Sequence, residues 1–160
     1  MILFFHGRES SPRGSKATWL ARTRGAVTPQ LTTTTVAAAL PEARAALDAH
    51  RPALVVASSF GGAVAVALLQ EGRIRVPVVL IAPAAAKLGV RNELPEGAQV
   101  VILHGDGDDV VPLADSVALA GTGGPGVSLR VVSGGDHRLN QILRDGTLDA
   151  VLTELGAPAR

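Results

Sequence analysis

The sequence predicts an α/β fold: a doubly wound, mostly parallel sheet of about six strands, with helices on both faces and no substantial lid. Three observations predict it. Apolar runs recur that are short, continuous and rich in β-branched residues, which is how strands buried on both faces read. Helical segments alternate with them, as parallel strands in one sheet require. The 160 residues fill one domain, 1–160, and leave little chain for a cap or a second module.

The runs are Ile2–Phe5, Leu54–Ala57, Val76–Ala82, Val100–Leu103 and Leu129–Val132, with a weaker strand at Gly25–Thr28 that stops before Pro29. Helices are expected over Lys16–Thr23, Val36–His50, Phe60–Gly72, Leu113–Ala120 and Leu139–Leu155. The second of these is alanine-rich and carries Leu40 and Leu47 seven apart on one face. Thr32–Thr35 is β-branched but reads as a loop leading into that helix. Ala84–Gly97 holds Gly89, Pro95 and Gly97, so it has room for a turn or two of helix and no more. The tail from Gly156 to Arg160 is expected to fray.

Composition removes several function classes. A net charge of +1 with scattered arginines gives no footprint for nucleic acid or an anionic membrane surface. There is no cysteine, so disulfides, cysteine nucleophiles and thiolate metal sites are excluded. The four histidines lack metal-ligand spacing, and no metal is expected. No stretch approaches the ~20 apolar residues of a membrane span. Met1 runs directly into Ile2–Phe5 without a basic region or a long apolar core, so a cytoplasmic protein is expected. Aromatic residues make up only 2%, so the core must be packed by aliphatic side chains. A monomer or small homo-oligomer is expected.

Four short strings follow apolar runs and carry the chemistry. They are H-G-R-E-S-S-P at 6–12, A-S-S-F-G-G at 57–62, H-G-D-G-D-D-V-V-P at 104–112 and G-G-D-H-R at 134–138. A serine on a tight strand-to-helix turn needs small residues two before and two after it, so that strand and helix can approach. Ala57 and Gly61 flank Ser59 in this way, whereas Ser58 would have Val56 and Phe60. This selects Ser59. The competing use of such a serine is a helix N-cap followed by packing glycines. A neutral hydroxyl is a poor nucleophile and needs a base oriented by a carboxylate. His137 lies in a glycine-rich turn that can reach back over a sheet edge, and Asp106, Asp108 and Asp109 offer the acid. Three acids in one loop also read, as an alternative, as a divalent-cation site. His104, beside Gly105 at a strand end, reads as structural, and His50 as a helix C-terminal residue favoured by the dipole.

Taken together, the strings resemble the small bacterial serine esterases of the α/β-hydrolase superfamily, which carry H-G-x-x-S-S-P followed by a lysine-containing helix. The resemblance runs from Ile2 to about His137. It implies a minimal α/β-hydrolase whose sheet begins at the strand feeding the oxyanion loop. It also implies cleavage of a small-molecule acyl ester or thioester without a cofactor. By its pattern the acid is the residue before x-V-V-P, which is Asp108. The oxyanion donors are the backbone N–H groups of Phe60 and Arg8. Gly7 lets the backbone approach the substrate, and His6 stands with it in the substrate-binding loop. Leu88 joins Phe60 as apolar wall. Ala57 departs from the usual first glycine of the elbow.

Other readings remain beside this one. The same residues can run C–C bond hydrolysis or perhydrolysis, because a fold does not fix a reaction. A non-catalytic binding protein on the same scaffold is the rival of another class, although a binder has no use for a strained serine. Nucleotide binding fails on spacing, since no phosphate-binding loop signature is present.

Overall fold

The structure is a computed structural model and describes residues 1–159. Five strands form one sheet: β1 (Ile2–Phe5), β2 (Leu54–Ser58), β3 (Val78–Ile81), β4 (Val100–Gly105) and β5 (Val127–Val132). Their spatial order equals their chain order, and every neighbouring pair is parallel. Each connection must therefore cross a face of the sheet, because parallel neighbours cannot be joined by a tight turn.

Alternate residues of the strands feed two cores. Leu3, Phe5, Val55, Ala57, Leu80 and Ile102 pack with α2 (Val36–His50), α3 (Phe60–Gln70) and α4 (Leu113–Gly121). Ile2, Phe4, Val56, Val79, Ile81 and Leu103 pack with α1 (Ser15–Arg24) and α5 (Thr147–Glu154) on the other face. The Thr32–Thr35 segment is a loop, and Thr35 caps α2 by accepting from the Ala38 amide at 3.1 Å. Alanines 39, 43 and 46 bring α2 close to its neighbours, with Leu47 buried beside them.

The structure departs from the sequence reading in four places. The weak strand at 25–28 contributes a single parallel bridge, Val27 to Leu3, so the sheet has five strands and not six. Pro29, which has no N–H for a ladder, ends that pairing. The closing helix is broken: a 3₁₀ turn covers Asn140–Leu143, and α5 begins only at Thr147 after Gly146 at φ 83°. The tail is tied down as far as Ala157, whose N–H donates to Leu152 and whose carbonyl accepts from Arg24 at 2.7 Å. The strand β5 is half exposed, since it is the sheet edge and packs less than a buried run implies. Between β3 and β4 the chain makes one turn, with the Leu88 amide on the Ala84 carbonyl, and buries Ala85 and Leu94 without forming a regular helix. Among the described residues no helix is long and apolar enough to cross a membrane.

Candidate active site

The four strings converge at the carboxyl end of the sheet, after β1, β2, β4 and β5. Ser59 sits between β2 and α3 with φ 52° and ψ −112°, a conformation that costs a non-glycine residue on the order of 1–3 kcal/mol. The surroundings hold it there. The Ser59 amide donates to the Ile81 carbonyl of β3, and its carbonyl accepts from Ala63 and Ala84. A Cβ at Gly61 would fall onto the Phe5 carbonyl, and one at Gly62 would lie 2.8 Å from Pro83 Cα. The small residues of the elbow thus let α3 approach both β1 and the end of β3.

Ser59 Oγ lies 2.8 Å from His137 Nε2, and His137 Nδ1 lies 2.8 Å from Asp108 Oδ2. A carboxylate oxygen only accepts, so Nδ1 carries the proton and Nε2 offers its lone pair to the Ser59 hydroxyl. The other carboxylate oxygen, Oδ1, accepts from the amides of Val110 at 2.9 Å and Val111 at 2.8 Å. The Asp108 side chain is 0% exposed and that of His137 18%. Burial opposes ionisation of Asp108, but the His137 hydrogen bond and the amides of Val111 and Val110 outweigh it and hold the carboxyl below its ordinary range.

The acid and histidine loops are stapled together. Asp106 Oδ1 accepts from the Gly134 amide at 2.7 Å, and the Gly107 amide donates to Gly135 at 2.9 Å. A Cβ at Gly105 would meet the Gly135 carbonyl, so the close approach needs glycine there. Asp106 therefore shapes the turn, Asp108 turns inward and Asp109 is exposed. Among the described residues no group of three or more His, Asp or Glu side chains is arranged to hold a metal ion.

A cavity of about 790 Å³ opens over Ser59 and is lined by Gly7, Arg8, Phe60, Leu88 and His137 among others. Phe60 is the first residue of α3, so its N–H has no acceptor within the helix. Gly7 runs directly beside Ser59: a Cβ there would sit 3.5 Å from Ser59 Cβ. The Arg8 guanidinium lies 5.4 Å from the Phe60 ring centroid, and its Nε donates to the Thr33 carbonyl. His6 differs from expectation. It is fully buried, accepts at Nε2 from the Leu31 amide and donates from Nδ1 to the Gly7 carbonyl, so it braces the loop instead of facing the cavity.

Two residues near the site were not singled out for it from sequence. His104 is buried within 3.2 Å of Asp108; its only signal was its place four residues before that acid. Lys16 lines the cavity, and its ammonium donates to the Arg138 carbonyl and to Asn140 Oδ1. Burial pushes Lys16 down to about 8, partly offset by Asp136 and reinforced by Arg138.

The sequence matches no protein-family model and no curated protein. Solved structures do match. Alpha/beta hydrolase domain-containing protein 10 from mouse is similar with a TM-score of 0.80 at 17% identity, over 97% of this chain and 90% of that one. The esterase domain of a Rhodothermus marinus protein is similar at 0.70 and 18% identity, over 97% and 87%. An alpha-beta serine hydrolase homologue from Coxiella burnetii is similar at 0.72 and 17% identity, over 98% and 85%. At such identities the likeness concerns the architecture, and by that measure this chain has the α/β-hydrolase fold.

Proposed function

We propose that the protein is a serine hydrolase that cleaves small carboxylic esters or thioesters through an acyl-enzyme. The observation that carries this reading is the hydrogen-bonded series Ser59–His137–Asp108, 2.8 Å at each step, with the serine in a strained turn facing a cavity. Ser59 Oγ attacks the carbonyl carbon while His137 Nε2 takes the hydroxyl proton. Asp108 fixes the tautomer and stabilises the imidazolium that forms. The oxyanion of the tetrahedral intermediate accepts from the N–H groups of Phe60 and Arg8. Collapse breaks the bond to the alcohol or thiol, which leaves with the proton from His137. Water then attacks the acyl-enzyme by the same steps in reverse and releases the acid. The esterase domain among the similar structures supports an ester as substrate.

A fluorophosphonate probe with intact-mass and peptide analysis tests this. The expected result is one adduct on Ser59, retained in Ser58→Ala and lost in Ser59→Ala, with kcat for Ser59→Ala down by on the order of 10⁴–10⁶. An adduct on Ser58, or no adduct on folded protein, overturns the assignment.

A further inference from the structure

A buried imidazole must satisfy both ring nitrogens, and His104 does so in a way that involves the acid. It lies on β4, fully buried, four residues before Asp108. Its Nδ1 is 2.7 Å from Ser116 Oγ of α4. Its Nε2 is 2.9 Å from the Val111 carbonyl and 3.2 Å from Asp108 Oδ2. Both neighbours of Nε2 are acceptors only, so Nε2 carries a proton. In the neutral ring Nδ1 then accepts from the Ser116 hydroxyl. Val111 is the residue whose N–H holds Asp108 Oδ1.

We propose that His104 is a positioning residue for the acid: its Nε2–H anchors the carbonyl of Val111, the residue whose own N–H grips one carboxylate oxygen, and places a second N–H dipole beside the other. The inference rests on the reading of Ser59, His137 and Asp108 as the reacting series. Asp108 Oδ2 thereby faces two imidazoles, one of which moves a proton and one of which does not. The static one draws negative charge away from His137. Removing it concentrates that charge on the His137 side, strengthens the base and loosens its aim. The titratable groups touching Asp108 are these two histidines, from β4 and from the loop after β5; Ser116 on α4 is uncharged. Around the His137 ring the cavity also carries Asp136 and Arg138 on its own loop and Lys16 from α1. Arg8, Glu9 and Arg13 follow β1, Lys87 follows β3, and Asp109 belongs to the acid loop. No substitution at His104 or Ser116 alters any of them.

The test compares wild type, His104→Leu, His104→Gln and Ser116→Ala in kcat and KM against pH on p-nitrophenyl acetate, with circular dichroism to establish folding. His104→Leu should lose roughly tenfold in kcat with little change in KM, as a misaimed catalytic group does. Its acid limb should move to higher pH, because the carboxylate loses one of the two N–H groups that share its charge. His104→Gln, which can place an amide N–H near Nε2, should recover most of both, and Ser116→Ala should keep the wild-type limb. A folded His104→Leu with an unmoved limb overturns the inference. If that variant does not fold, ¹⁵N NMR of wild-type imidazoles decides. The neutral Nε2–H tautomer of His104, with a ring proton that shifts when Ser59 is phosphonylated, supports it; the other tautomer or a stationary resonance refutes it. Phosphonylation of wild type at Ser59 tests the underlying reading separately, since its absence removes the series itself.

Discussion

Asp108→Asn isolates the part of the site that depends on a charge and not on shape. The amide is nearly isosteric, and its orientation is decided by the neighbours. Val110 and Val111 present N–H groups 2.9 and 2.8 Å from Oδ1, so the amide oxygen must stay there. The reverse orientation would set an NH₂ against two backbone N–H donors. The NH₂ therefore occupies the Oδ2 position, 2.8 Å from His137 Nδ1 and 3.2 Å from His104 Nε2. A donor now faces Nδ1, so His137 takes the opposite tautomer with its proton on Nε2. That proton points at Ser59 Oγ, 2.8 Å away, where the mechanism needs a lone pair. The same substitution in a serine-protease triad costs about 10⁴ in kcat, equivalent to about 5.4 kcal/mol at 1.36 kcal/mol per decade. We expect a loss of that order in kcat/KM on p-nitrophenyl acetate, with the fold retained by circular dichroism. A folded variant within tenfold of wild type would falsify the tautomer argument and, with it, the role given to Asp108.

Three further outcomes are expected. Lys16 is pushed down to about 8 from 10.5 by burial, so the unfolded chain binds more protons than the folded one between those values. Wild type should gain stability relative to Lys16→Met as pH rises through that window, and a flat difference in urea melts would contradict the placement of this lysine. Gly61→Ala gains about 1 kcal/mol of helix propensity but drives a methyl into the Phe5 carbonyl. Overpacking of this kind costs roughly 1–3 kcal/mol, so the melting temperature and the probe labelling at Ser59 should both fall, and an unchanged Tm argues against so tight an elbow. Finally, kcat/KM should peak on short acyl esters, roughly acetyl to hexanoyl, because each methylene contributes about 0.8 kcal/mol only where apolar wall covers it. A steady rise to dodecanoyl esters below their micelle concentration would reveal an apolar tunnel.

The strands and the serine were legible because they rest on local chemistry. A run such as Val100–Leu103 can be buried only in a sheet covered on both faces, and the small neighbours of Ser59 announce the turn that Gly61 permits. What escaped the sequence was set by partners far along the chain. Gly146 lay inside an apolar pattern that reads as one helix, and only its left-handed backbone divides it. His6 and Gly7 are adjacent, yet Leu31 draws the imidazole inward while Gly7 remains on the cavity. His104 gave no sign of whether its ring nitrogens would meet α4 or the acid loop. Lys16 finds its acceptors 122 and 124 residues away.

The position of His137 poses the hardest structural demand in so short a chain. Its loop leaves β5, an edge strand with a sheet neighbour on one side only, and such loops are ordinarily the mobile ones. The proposed proton relay would tolerate little of that motion, because a displacement of about 1 Å can cost 10²-fold in rate. The loop is accordingly tied from both flanks. On the acid side, Asp106 and Gly107 bind Gly134 and Gly135, so Asp108 and His137 move together if they move at all. On the other side, Lys16 reaches from α1 to Arg138 and Asn140, which fixes the loop to the helix that follows the oxyanion segment. Asp136 closes the turn on the Leu139 amide. Four of the five strands therefore bear on one histidine through short loops. Lys16 is the member of that set that joins the segment after β1 to the loop of His137.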